Sequence, residues 1–125
     1  LLFDYYDEDE SGATYNSGII FQSAQSHRHS SEKFIKFIPG AYDTLVEIVD
    51  SDWVMELREM NKEIADYWDI RHYAIILDSN GIYEFIARDY DILDTKEGRL
   101  SKVMNFELEM TYDKEKGRRK WIMKN

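Results

Sequence analysis

The chemistry open to this chain depends on its three histidines and on the carboxylates near them. His72 begins a β-prone run, Asp89 follows the next such run, and the dipeptide Asn80-Gly81 lies between the two runs. Asn-Gly favours a two-residue type I′ hairpin turn, whose twist matches that of the paired strands. In that register His72 lies opposite Asp89, and a carboxylate beside an imidazole fixes its tautomer and raises its pKa, as a general base requires.

A general base also needs a nucleophile, and no Ser or Thr lies in a recognisable nucleophile elbow. Pairs of charged residues across two strands are also common for purely structural reasons. The sequence therefore favours a structural role for His72 and Asp89 and assigns no catalytic residue.

His27 and His29 are two residues apart, which on a strand places both imidazoles on one face. That geometry suits a metal ion, but a zinc site normally takes three or more protein ligands. His72 would have to be brought there by folding. The sequence thus assigns no metal and no cofactor. A metal-dependent or small-ligand-binding module built on His27, His29, His72 and nearby carboxylates remains the alternative.

Two elements must position these residues. In the hairpin both faces are apolar near the middle, which predicts that its strands are central in a sheet and covered on both sides. The preceding segment predicts a helix from about 52 to 68, because apolar residues recur at helical spacing. Candidates for its N-cap are Asp50, Ser51 and Asp52, and its apolar stripe comprises Trp53, Leu57, Met60, Ile64 and Tyr67.

The remaining patterns are those of short strands. Alternating apolar residues up to Tyr112, a turn containing Gly117 and a second run predict a C-terminal hairpin. The sequence therefore predicts an α+β fold: a mostly antiparallel, twisted sheet with one principal helix, in a single domain spanning residues 1–125. Strands before Pro39 and after Gly98 could cover the other face of the sheet or close it into a partial barrel.

Composition limits the partners. The chain has 125 residues, no cysteine and a net charge of −9, which excludes disulfides and thiolate chemistry and disfavours nucleic acid. Acidity is compatible with a basic protein partner. No apolar run reaches the roughly 20 residues that cross a bilayer, so we expect a cytoplasmic protein without a membrane segment. Acidic residues within 4–10 and basic residues within 114–124 could meet in one chain or between two copies, as in a homo-oligomer.

Two stretches resemble segments of a family of small bacterial proteins of uncharacterised function. They are residues 40–57, GAYDTLVEIVDSDWVMEL, and the hairpin from His72 to Asp91. The resemblance lies within residues 40–91 and implies a bacterial origin. It implies no activity, so it assigns a role to no residue.

The sequence thus favours a noncatalytic protein that acts through protein interaction, as an inhibitor or an immunity-like partner does. The small size, the acidity and the lack of a complete catalytic set support this interpretation. The histidine-based metal or ligand module described above is the alternative.

Overall fold

The computed structural model describes residues 1–6, 13–35, 40–65, 67–78, 80–97 and 107–124. The chain forms two compact units, one made of Leu1–Ile20 and Tyr90–Asn125 and the other of Phe21–Asp89. The architecture is mostly antiparallel sheet with one principal helix, which agrees with the expected α+β class, and the described strands form no closed barrel. The single-domain assignment stays a prediction.

The strands and helices have the following bounds in chain order. The strands are β1 (Leu2–Tyr6), β2 (Thr14–Gln22), β3 (Ser26–Ser30), β4 (Val46–Ile48), β5 (Arg71–Leu77), β6 (Gly81–Ala87), β7 (Asp89–Ile92), β8 (Lys96–Glu97), β9 (Glu107–Asp113) and β10 (Arg118–Lys124), and the helices are α1 (Asp52–Met60) and α2 (Lys62–Ala65). A short 3₁₀ turn spans Glu32–Phe34. None of the described helices is long and apolar enough to cross a membrane.

Three sheets contain these strands. The Phe21–Asp89 unit holds a four-stranded sheet in the order β3-β6-β5-β4, so the strands β5 and β6 are central, as predicted. The other unit holds the sheet β1-β2-β7, with β8 also paired to β2, and the two-stranded hairpin β9-β10. The predicted C-terminal hairpin is therefore present.

The register of the central hairpin differs from the prediction. Leu77 pairs with Gly81, and His72 pairs with Ile86 rather than with Asp89. The Asn80 N–H donates to the Leu77 carbonyl at 3.0 Å, and Gly81 has φ +94°. This is a three-residue loop followed by glycine in the left-handed region, an arrangement that the Asn-Gly dipeptide also suits. The type I′ prediction was wrong, because each residue of β5 pairs with a residue three positions earlier than predicted. A shift by an odd number of residues changes which side chains of the two strands share a face.

The core of the four-stranded sheet is formed by side chains of its two central strands. Ala74, Ile76 and Ile82 form the buried cluster, and the partly buried Val46 and Ile48 of β4 pack against it. Burying a side chain such as Ile76 contributes roughly 1.5–3 kcal/mol. This cluster fixes the sheet face that also carries His72, because β-strand residues two apart point to the same side.

The helix begins where the sequence predicts it and ends early. The Ser51 hydroxyl accepts a hydrogen bond from the Val54 N–H at 3.2 Å, which confirms the predicted N-cap region. At Asn61 the backbone leaves the helical region, with φ −141° and ψ 63°. Arg58 then donates to the carbonyls of Ala65 at 2.6 Å and Trp68 at 2.8 Å.

The single helix predicted over 52–68 is therefore interrupted at Asn61, and its continuation α2 (Lys62–Ala65) ends three residues earlier than predicted. Asn is a weak helix former, since its side chain competes for backbone hydrogen bonds. Arg58 stabilises the chain after the break by satisfying carbonyls there. Trp53 and Leu57 of the predicted stripe are half-buried, whereas Met60 and Tyr67 are exposed. The Ile64 side chain and the acidic residues 7–10 lie outside the described part of the chain, so the meeting of charged termini stays a prediction.

Candidate functional site

A buried polar network lies beneath the first turn of α1. The Ser51 Oγ is 2.7 Å from the His72 Nδ1, and the His72 Nε2 is 2.9 Å from a Glu84 Oε1. Arg28 completes the network with two hydrogen bonds to the Glu84 carboxylate, at 2.7 and 3.0 Å. Ser51, His72 and Glu84 are only 6%, 3% and 3% exposed.

The strand register brings these groups together. Arg28 of β3 lies directly opposite Glu84 of β6, and Glu84 lies opposite Ala74, two residues along β5 from His72. The three polar side chains therefore share one face of the sheet, and His72 and Glu84 are diagonal neighbours. Ser51 reaches the same face from the loop between β4 and α1.

The hydrogen bonds indicate where the protons lie. The Glu84 carboxylate only accepts hydrogen bonds, so the Nε2 of the neutral His72 ring carries the proton and donates to it. The Nδ1 then accepts from the Ser51 hydroxyl, whose oxygen accepts from the Val54 N–H. Burial lowers the pKa of His72, and its bond to Glu84 opposes that effect only in part. Burial alone would raise the pKa of Glu84, but hydrogen bonds from Arg28 and His72 outweigh it and hold that pKa below its usual value.

Trp53 closes the network into a ring of contacts. The Arg28 guanidinium lies 4.1 Å from the centre of the Trp53 ring, a cation–π contact. The same indole meets the His72 ring edge to face, with centroids 5.2 Å apart. The first turn of α1 is thus attached to β3, β5 and β6 through both its capping residue and its first aromatic side chain.

The chain of hydrogen bonds from Ser51 through His72 to Glu84 resembles that of a catalytic triad. A nucleophile, however, must expose its oxygen to substrate. The Ser51 oxygen is buried and caps α1, and the carboxylate of Glu84 is bound in two places by Arg28. The arrangement therefore fixes the start of the helix, with the Ser51 oxygen already bonded to the Val54 N–H and to His72.

The residues singled out in the sequence occupy different places. His72 belongs to the network, but its partner is Glu84, and the exposed Asp89 lies in β7. The predicted pairing of His72 with Asp89 was wrong because the register is shifted. Neither Ser51 nor Glu84 was singled out as a partner of His72, since only the correct register places all three together.

His27 and His29 lie on the opposite face of the sheet from His72. His27 lies beside Phe85 with ring centroids 6.1 Å apart, and His29 stacks on Tyr83 at 4.3 Å and contacts the Asn80 carbonyl at 2.6 Å. Both residues lie in β3 and, being two apart, share one of its faces. The sheet separates them from His72, and no group of three or more possible metal ligands occurs among the residues that the structure describes.

The outward face of α1 is a surface of a different kind. Met55 and Met60 are 64% and 75% exposed. Asp52, Glu56 and Glu59 are also exposed and follow the same helical spacing. The opposite side of α1, with Trp53 and Leu57, is half-buried. We call Asp52, Met55, Glu56, Glu59 and Met60 the outer face of α1.

The outer face therefore presents both apolar and acidic side chains to solvent. Lys62 pairs with Glu59 at 2.6 Å, an exposed contact that contributes little to stability. Comparison with known proteins finds no matching family model, no matching curated protein and no matching solved structure.

Proposed function

We propose that this chain is a noncatalytic interaction protein that binds a basic partner protein through the outer face of α1. The observation that supports this most directly is the exposure of Met55 and Met60 among three carboxylates on that face. Action as an inhibitor or an immunity-like partner, and a cytoplasmic location, belong to the same proposal.

The chemistry of the surface favours such a partner. Methionine is flexible and polarisable, so it adapts to apolar side chains of many shapes. Carboxylates around it attract Lys and Arg, raise the association rate and exclude acidic competitors. A partner that presents apolar residues with a basic rim would bury Met55 and Met60 and pair with Asp52, Glu56 and Glu59. The net charge of −9 acts in the same direction at longer range.

The buried network gives α1 a fixed position. Ser51 caps its first turn, while Trp53 packs against His72 and Arg28. A preorganised helix loses less conformational entropy on binding than a mobile one does. On this proposal the network is a support for the binding surface.

The test is a comparison of three chains as baits in the native lysate. The wild type and Glu115→Lys, which makes the same charge change in an exposed turn of the other unit, should retain one basic protein that elutes as salt is raised. Glu56→Lys should lose that protein. Circular dichroism and the melting temperature of each variant check that the fold is intact.

Titration of the purified partner then measures the effect. We expect Glu56→Lys and Met55→Ser each to weaken binding roughly tenfold or more, as truncations at an interface core do. A partner bound equally well by all variants would overturn the assignment to the outer face. The absence of any basic partner would overturn the proposed function.

A further inference from the structure

The loop between β5 and β6 places an exposed asparagine directly before a glycine. Asn80 is exposed, and its side-chain amide donates to the Asp78 carbonyl at 3.2 Å, a surface contact that water can replace. Gly81 follows with φ +94° and has no Cβ to hinder an approach to its backbone nitrogen. In an Asn-Gly pair that nitrogen can therefore reach the side-chain carbon Cγ of the asparagine and close a succinimide ring.

His29 contacts the peptide group that joins these two residues. Its Nε2 is 2.6 Å from the Asn80 carbonyl oxygen, and because a carbonyl oxygen only accepts hydrogen bonds, the Nε2 carries the proton and donates it. Stacking on Tyr83, with ring centroids 4.3 Å apart, holds the imidazole in this position. A hydrogen bond to the oxygen of a resonant peptide group draws electrons from its nitrogen. The bond from His29 therefore makes the Gly81 N–H easier to deprotonate.

We propose that Asn80 is a site of spontaneous deamidation and that His29 promotes the reaction as a positioning residue. The Gly81 nitrogen gives its proton to solvent and forms a bond to the Asn80 Cγ, while the bond from Cγ to Nδ2 breaks and ammonia leaves with a proton from solvent. Water then opens the succinimide, at Cγ to give aspartate or at the backbone carbonyl carbon to give isoaspartate. The reaction consumes water, releases ammonia and changes no oxidation state.

The isoaspartate product conflicts with the packing of the loop. It adds a methylene to the backbone and a negative charge between β5 and β6. Gly81 lies so close to β3 that a Cβ there would collide with the Ser30 carbonyl oxygen, so a longer backbone does not fit this approach. We therefore expect isoaspartate at residue 80 to loosen the hairpin that carries His72 and Glu84. This inference does not depend on the outer face of α1.

The first test is peptide mass spectrometry of the purified chain, fresh and after weeks at neutral pH. The peptide that contains Asn80 should gain the mass difference between an amide and an acid, with isoaspartate exceeding aspartate. Two controls should keep their amides: Asn61, which is also exposed but precedes Lys62, and Asn16, which is buried in β2. An unchanged Asn80, or equal conversion at Asn61, would overturn the proposed site.

The second test separates the effect of His29 on the reaction from its effect on the loop. His29→Phe keeps an aromatic ring over Tyr83 and removes the donor, so Asn80 should convert roughly fivefold more slowly, as the loss of a hydrogen bond in the reaction predicts. His27→Phe, a matched change on the same face of β3, should convert at the wild-type rate. If the bond only restrained the loop, its loss would speed the reaction. Equal or faster conversion in His29→Phe would therefore overturn the role of His29.

The consequence for the hairpin is tested on the modified chain itself. Ion exchange separates the forms that carry the added charge, and peptide mapping identifies the isoaspartate form among them. That form should melt at a lower temperature than the unmodified chain, and hydrogen exchange should show faster opening of β5 and β6. Equal melting temperatures of the two forms would overturn the predicted loosening.

Discussion

Two hairpins of this chain share the same local design and have different surroundings. β5–β6 and β9–β10 each pair two strands of seven residues, and each has a glycine with positive φ at its turn, Gly81 at +94° and Gly117 at +64°. The first hairpin has a neighbouring strand on both sides, whereas β9 has none on its outer edge among the described strands.

The difference shows that local sequence forms a hairpin, whereas the neighbouring strands decide which of its side chains are buried. Turn residues and alternation produce a hairpin in both places. In the first, neighbouring strands bury Glu84, so its carboxylate must be paired with Arg28 and His72. In the second, β9 leaves the apolar side chains of Leu108, Met110 and Tyr112 exposed.

The largest expected effect is that of Glu84→Ala. It leaves the buried His72 Nε2–H without an acceptor and removes both hydrogen bonds of the half-exposed Arg28, which together should cost about 3 kcal/mol. Glu115→Ala, at an exposed position in the turn of the second hairpin, should cost about 0.5 kcal/mol or less. Urea unfolding of both variants measures the difference in the free energy of unfolding. Similar losses in the two would mean that burial does not distinguish the hairpins.

The two turn glycines should respond unequally to alanine. A Cβ at Gly81 would collide with the Ser30 carbonyl oxygen, whereas a Cβ at Gly117 meets no atom within 4 Å. We expect Gly117→Ala to cost about 1 kcal/mol, from the positive φ alone, and Gly81→Ala about 2–3 kcal/mol. Thermal unfolding with calorimetric detection checks the order. A reversal would contradict the close approach of β3 to the first turn.

Ser51→Ala should show how far the buried network extends into α1. The change removes a helix cap, worth about 1 kcal/mol, and leaves the buried His72 Nδ1 without a donor, for a total of about 2 kcal/mol. Thr111→Ala removes an exposed hydroxyl from β9 and should cost about 0.5 kcal/mol. Hydrogen exchange should show faster opening of α1 only in Ser51→Ala. Unchanged protection of α1 would separate the helix from the network.

The smallest expected effect is the response to pH. Because the pKa of His72 is lowered in the folded chain, the unfolded chain binds the proton first, and stability falls as the pH drops below the unfolded value of about 6.5. The loss should reach about 1 kcal/mol between pH 7.5 and 5.5, above the range in which Glu84 titrates. His72→Gln should lose this part of the pH dependence. An equal slope in wild type and variant would show that His72 does not contribute to it.

Much of the fold follows from local sequence. Alternating apolar residues and turn dipeptides predicted both hairpins, and the Asp50–Asp52 segment predicted the start of the helix. These features depend on contacts between residues close in the chain, so their patterns can be recognised in the sequence. The end of the helix was harder to predict, because it depends on hydrogen bonds from Arg58 to carbonyls seven and ten residues further along the chain.

The candidate site required the tertiary structure. His72 could be singled out from the sequence, but an Asn-Gly turn fits two loop lengths, and the choice between them decides whether the imidazole faces Asp89 or lies beside Glu84. Arg28, 56 residues from Glu84, joins only when β3 pairs with β6. Local patterns in the sequence therefore predicted a central hairpin, a helix that begins near Ser51 and a net negative charge. Strand pairing between distant segments decided which polar groups meet, because register is set by the packing of whole strands.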